Sequence, residues 1–100
     1  MDPTSFLKAI ANPARRQLLA WLRDPRAHFP PQVDGDLVTD GVCASFLADK
    51  LGVSGPALSA HARLLQDAGL VVATRKRGWV FYRRDEAAIA EALAALNASL

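Results

Sequence analysis

Few side chains in this 100-residue sequence could do covalent chemistry, and they are scattered. Ser54 lies in Gly52-Val53-Ser54-Gly55, which has the start of a nucleophile elbow. The Gly-x-Ser-x-Gly pattern fails at its last position, and the run follows a helical stretch instead of a strand. Cys43 and His61 could form a thiolate–imidazole pair, but no third residue is evident to orient the base. A lone thiol cannot assemble the three or four soft ligands that a bound metal needs. No catalytic residue, metal site or cofactor is therefore expected.

What remains is binding chemistry. Arg75, Lys76, Arg77, Arg83 and Arg84 fall in a window without an acid, while Asp34, Asp36 and Asp40 cluster elsewhere. The net charge is only +2, so the distribution matters more than the sum. One concentrated basic edge on a chain of pI about 9.1 suits a polyanion. Most of the basic residues are arginine, whose fork matches phosphate and guanine better than lysine does.

The elements that must position these groups can be read from caps and periodicity. Thr4 or Ser5 can cap a first helix with Phe6, Leu7 and Ile10 on one face. Asn12-Pro13 ends it and opens a second, with Leu18, Leu19 and Leu22 inward and Arg15, Arg16 and Arg23 outward. Residues 24–41 hold three prolines, two glycines and four aspartates and keep no period, so they read as a long connection. A third helix is predicted from about Val42 to Leu51. After the turn Gly52-Val53-Ser54 a fourth begins, capped by Ser54 with Pro56 in its first turn, and Gly69 ends it. Leu58, Leu65 and Ala68 bury one side of it, with Leu64 beside them. LVVAT and WVFY, joined by RKRG, form a hairpin with a basic tip. Asp85 caps a last helix with the stripe Ile89, Leu93, Leu96 and Leu100. The expected fold is mainly α with a β-hairpin wing, a winged helix-turn-helix of order α-α-α-α-β-β-α.

The first turn of the fourth helix is unusually bare. A helix entering a DNA major groove needs a slim, polar leading face, and Ser54, Gly55, Ser59, Ala60 and His61 supply one. Its N–H groups can also meet a phosphate. Arg63, two positions after His61, can also approach bases or phosphates. Arg75, Lys76 and Arg77 on the following ribbon are placed to reach the adjacent backbone or minor groove. Packing against the third helix would also explain small residues, but the basic ribbon favours nucleic acid.

LKAIANPARRQLLAWL, CASFLADKLGVSGPALSAHARLLQDAGLV and RGWVFY together resemble the ArsR-type winged-helix repressors over nearly the whole chain. The resemblance implies a dimer, with Phe6, Leu7, Ile10, Ile89, Leu93 and Leu96 at the interface of the terminal helices, while the same stripe can also serve the chain's own core. It also implies an inverted-repeat operator in double-stranded DNA, released on a signal. Gly55 and Pro56 stand where the family often has Gln and Ser, which leaves Ser59, His61 and the wing to read the operator. The loop before the third helix is longer than is common. Metal-sensing members carry Cys-Val-Cys where this chain has Val42-Cys43-Ala44-Ser45, and the last helix lacks the histidines of the other zinc site. Cys43 then has two readings: a redox-sensing thiol in the first turn of a helix, or a small apolar residue in the core.

One hundred residues suit one domain, 1–100, and 51% hydrophobic with 22% charged residues marks a folding chain. A single cysteine and the lack of a signal-peptide pattern or membrane span suggest a cytoplasmic protein. The alternative to a DNA-binding regulator is a winged-helix dimer that binds proteins and carries an incidental basic wing. The inducing signal is not specified by the sequence.

Overall fold

The computed structural model describes residues 2–100. Its order is α1 (Thr4–Ile10), α2 (Pro13–Arg23), α3 (Pro25–His28), β1 (Val42–Cys43), α4 (Ala44–Leu51), α5 (Gly55–Asp67), β2 (Val71–Lys76), β3 (Trp79–Arg84) and α6 (Glu86–Ser99). This is a winged helix-turn-helix with two elements more than expected, the single turn α3 and the short strand β1. Pro25 starts α3 because its missing N–H costs nothing in a first turn, and the Phe29 N–H closes it on the Pro25 carbonyl at 2.9 Å.

The capping pattern follows the sequence closely. Asn12 Oδ1 accepts from the Arg15 N–H at 3.2 Å, Ser54 Oγ from Ala57 at 3.2 Å, and Asp85 Oδ1 from Ala88 at 3.0 Å. At α1 the expectation is corrected. Thr4 is already helical, and Asp2 Oδ1 receives both its N–H, at 3.0 Å, and its hydroxyl, at 2.8 Å. Gly52 ends α4 in the left-handed region at φ 74°, and its N–H and that of Val53 bond the Ala48 carbonyl.

The third predicted helix starts two residues later than expected, and the reason lies across the sheet. Val42 pairs with Tyr82 and Cys43 with Phe81, so these two residues extend the hairpin instead of opening a helix. The three antiparallel strands run in the order β1-β3-β2. Gly41 feeds β1 at φ 108°, and a Cβ there would lie 2.2 Å from the Tyr82 carbonyl oxygen. Only glycine allows the chain so close to β3.

Leu18 and Leu22 of α2, Leu47 of α4, Leu58, Ala62 and Leu65 of α5, and Val71 and Tyr82 of the sheet meet in one core. It holds the two helices of the motif and the wing as one unit. Ala62 joins this core, whereas Leu64 is exposed on the opposite side.

Candidate nucleic-acid interface

α5 presents its first turns to solvent. Ser54, Gly55, Pro56, Ser59 and Ala60 are exposed, and Leu58, Ala62 and Leu65 face inward at helical spacing. The bare residues are therefore not consumed by packing against α4. No atom lies within 4 Å of where a Gly55 Cβ would stand, so the space in front of that turn is open.

His61 is half-buried and fixed by a contact the sequence did not reveal. Its Nδ1 lies 3.2 Å from a guanidinium nitrogen of Arg15. A guanidinium only donates, so Nδ1 accepts and Nε2 carries the ring proton. That leaves Nε2–H as the donor not engaged by Arg15. Arg15 also donates from Nε to the Ala9 carbonyl at 2.6 Å and from a terminal nitrogen to the Lys8 carbonyl at 3.2 Å. Helical spacing points it outward as a solvated charge. It instead ties the end of α1 to α5, and Arg16 donates to the Ile10 carbonyl beside it. Arg63 is exposed and ion-paired with Asp67 one turn on, at 3.1 Å.

The wing is longer than the sequence indicated. Lys76 pairs with Trp79, so Arg75 and Lys76 belong to β2, and only Arg77 and Gly78 form the turn. Both have positive φ, 53° and 82°, the two-residue turn whose twist suits a hairpin. Of the basic cluster, Arg75, Lys76, Arg77 and Arg83 are exposed. Arg84 is not part of that edge. It turns back to donate to the Leu19 carbonyl at 3.1 Å and to Glu86 at 2.9 Å.

Two of the three tip cations face carboxylates from the long loop. Lys76 Nζ is 3.2 Å from Asp40, and an Arg77 nitrogen is 4.0 Å from Asp34. The sequence separates acids and bases into different segments, and the fold stacks them together. Asp40 is held below its ordinary value of 3.8 chiefly by the Asp36 N–H and next by Lys76. Asp36 is held below it by the Thr39 and Val38 N–H groups, each 2.8 Å from Oδ1. Both remain carboxylates at neutral pH. Among the described residues Arg75 has no carboxylate at ion-pair distance.

Cys43 does not lie in the first turn of a helix, as expected. It ends β1 with φ −58° and ψ 136°, its N–H donates to Gln32 Oε1 at 2.7 Å, and its sulfur is 3.2 Å from Ser45 Oγ. Cys43 is buried, 7% exposed, and lines a cleft. The expected interface residues divide. Phe6 lies in the core, Ile10, Ile89 and Leu96 are half-buried, and Leu7 and Leu93 are exposed at 42% and 52%. Among the described residues no group of three metal-binding side chains comes together, and no helix is long and apolar enough to cross a membrane.

Comparison with known proteins places this geometry. The chain is 40% identical over 89 residues, 89% of each sequence, to the uncharacterized HTH-type transcriptional regulator YbzH of Bacillus subtilis. The chain is a winged helix-turn-helix transcriptional regulator with the ArsR-family fold. The ArsR family regulator RHA00566 superposes with a TM-score of 0.69 at 20% identity, over 99% of this chain and 89% of that one, which shows the shared fold. HlyU from Vibrio cholerae matches at a TM-score of 0.64 and 27% identity, over 91% of this chain and 84% of its own. NolR from Sinorhizobium fredii matches at 0.62 and 28%, over 93% and 78%. No family model matches the chain. The regulator binds DNA and is not an enzyme.

Proposed function

We propose that this regulator is a cytoplasmic, homodimeric, single-domain repressor that holds an inverted-repeat operator and releases it on a signal. The observation that carries the reading is the exposed, side-chain-poor start of α5 beside a wing tipped with Arg75, Lys76 and Arg77. In this reading Ser54 and the helix N-terminus hold backbone phosphate. Ser59, Gly55, the Nε2–H of His61 and Arg63 approach the groove, and the three wing cations grip the flank. Exposed Leu7 and Leu93 on the terminal helices support dimer contacts, since each spends a large apolar side chain on solvent in the monomer.

Cys43 is the redox element of the proposal. Cys43 lines the cleft with the Ser45 hydroxyl beside its sulfur, and only a small oxidant fits its limited exposure. With hydrogen peroxide the thiolate attacks one oxygen, the O–O bond breaks, hydroxide leaves and a sulfenic acid forms. The added oxygen would press on the β1–α4 junction and so on the helix-turn-helix.

Fluorescence anisotropy on duplex DNA from upstream of the gene tests this, with reduced and peroxide-treated protein and Cys43→Ser alongside. The expected result is tight, salt-sensitive binding that oxidation releases in the wild type and not in the serine variant. Weak, salt-insensitive binding would instead favour a winged-helix dimer that docks on proteins. Equal release in both proteins would remove Cys43 from the switch.

A further inference from the structure

We propose that the cleft beside Cys43 binds a small neutral aromatic molecule of one or two rings. The cleft lies where three parts of the regulator meet. Val33 and Asp34 come from the long loop, Ser45 and Phe46 from the start of α4, and Trp79 and Phe81 from β3. Its volume is about 180 Å³, close to the roughly 150 Å³ of an apolar cavity that holds benzene.

The polar groups of the wall are already committed, and this selects the ligand class. The Gln32 amide donates to the Gly35 and Gly41 carbonyls at 3.3 and 2.9 Å and accepts from the Cys43 N–H. Cys43 and Ser45 bond each other, and Asp34 faces Arg77. A charged or heavily hydroxylated molecule would give up hydration here without finding partners. A neutral ring loses nothing polar and gains three aromatic walls.

The rim shows uncovered apolar surface. Of the lining residues, Trp79 is 46% exposed and Val33 99% exposed. The floor is fixed. Phe81 is almost fully buried, and a Cβ on Gly35 would come within 2.7 Å of its ring. The loop is thus seated against the ring, and the walls form a preformed site and not a loose seam.

The position gives an occupant leverage on the wing. Trp79 pairs across the hairpin with Lys76, and Asp34 faces Arg77, so the rim residues adjoin the tip cations. A ligand that fits one placement of wing and loop better than another shifts the balance between them. That consequence rests on the DNA-binding reading. The site itself does not, and it is tested without DNA.

The probe is 4-fluorobenzyl alcohol, followed by fluorine NMR with the full chain. Saturable binding is expected, with a Kd on the order of 1 mM or tighter, as suits a ligand of so few atoms. Ser45→Trp fills the cleft from an exposed position, and Val33→Glu sets a charge on its rim. Each should weaken the probe about tenfold or more, with an unchanged circular dichroism spectrum. The anion 4-fluorobenzoate should bind at least about tenfold more weakly than the alcohol. No saturation up to the solubility limit, equal binding by both variants and the wild type, or equal binding of the anion would each overturn the proposal. Failure to bind operator DNA would leave it standing.

Discussion

Replacing Asp34 and Asp40 by Asn should make DNA binding tighter and more dependent on salt. Asn keeps a carbonyl oxygen for the Asp36 N–H that now bonds Asp40 at 2.8 Å, so the loop should hold its shape. Each cation that takes a phosphate releases about 0.9 of a condensed counterion. In the wild type, Lys76 and Arg77 leave a carboxylate behind when they move to phosphate, at 3.2 and 4.0 Å in the free protein. In the limit where each abandoned carboxylate takes up a cation again, that release is cancelled. The wild-type wing should then contribute a slope of about 0.9 for each chain bound, from Arg75, and the double variant about 2.7. Over a fourfold rise in salt, the wing's share of affinity falls about 3.5-fold in the wild type and about 40-fold in the variant. Anisotropy on a nonspecific duplex across that range measures both slopes. Equal slopes would show that the loop acids do not compete with phosphate, and the argument would fail.

Four further substitutions have expected outcomes. Arg15→Ala should cost about 1–3 kcal/mol in urea unfolding, because it strips partners from two α1 carbonyls, and it should weaken DNA binding by freeing His61. Gly41→Ala should cost about 3 kcal/mol or more, from its positive φ and its approach to the Tyr82 backbone. Gly55→Ala, with open space before it, should leave stability the same or raise it by about 0.5 kcal/mol, yet lower DNA affinity. Leu93→Glu should shift sedimentation toward the monomer, and an unchanged profile would take α6 out of the interface. On acidification the loop should loosen. Asp36 and Asp40 have folded pKa values below 3.8, so their contribution is complete above the unfolded value and lost as pH falls below it. Amide exchange at Val38 and Thr39 between pH 7 and pH 3 reads this directly, and constant protection would refute it.

The helices, the turn and the wing were legible because their signals are local. Asn12-Pro13, Ser54 and Asp85 mark helix starts by their own chemistry, and the core face of α5 follows helical spacing. What escaped the sequence depends on partners far along the chain. Val42 and Cys43 look like the front of a helix until Tyr82 and Phe81 offer a strand to pair with. Arg15 and His61 are 46 positions apart, and Lys76 and Asp40 are 36 apart, so no local pattern joins them. Adjacency in the sequence alone puts Arg84 with the basic edge. Strand alternation turns it away from Arg83, and it binds α2 instead.

The seat of Gly41 on the Tyr82 backbone divides the long connection into parts with different evolutionary freedom. Its exit is pinned by a residue that no side chain can replace, and Gln32 clasps the Gly35 and Gly41 carbonyls from within. Between α3 and Gln32 the chain is anchored at Phe29, buried edge-on to Trp21, while Pro30 and Pro31 are exposed, and closing a somewhat longer loop at those two costs little entropy. The segment is thus an interchangeable cassette between fixed anchors. Related regulators could lengthen, shorten or recharge it without rebuilding the groove-facing helix, and so acquire new responses on an unchanged reading head.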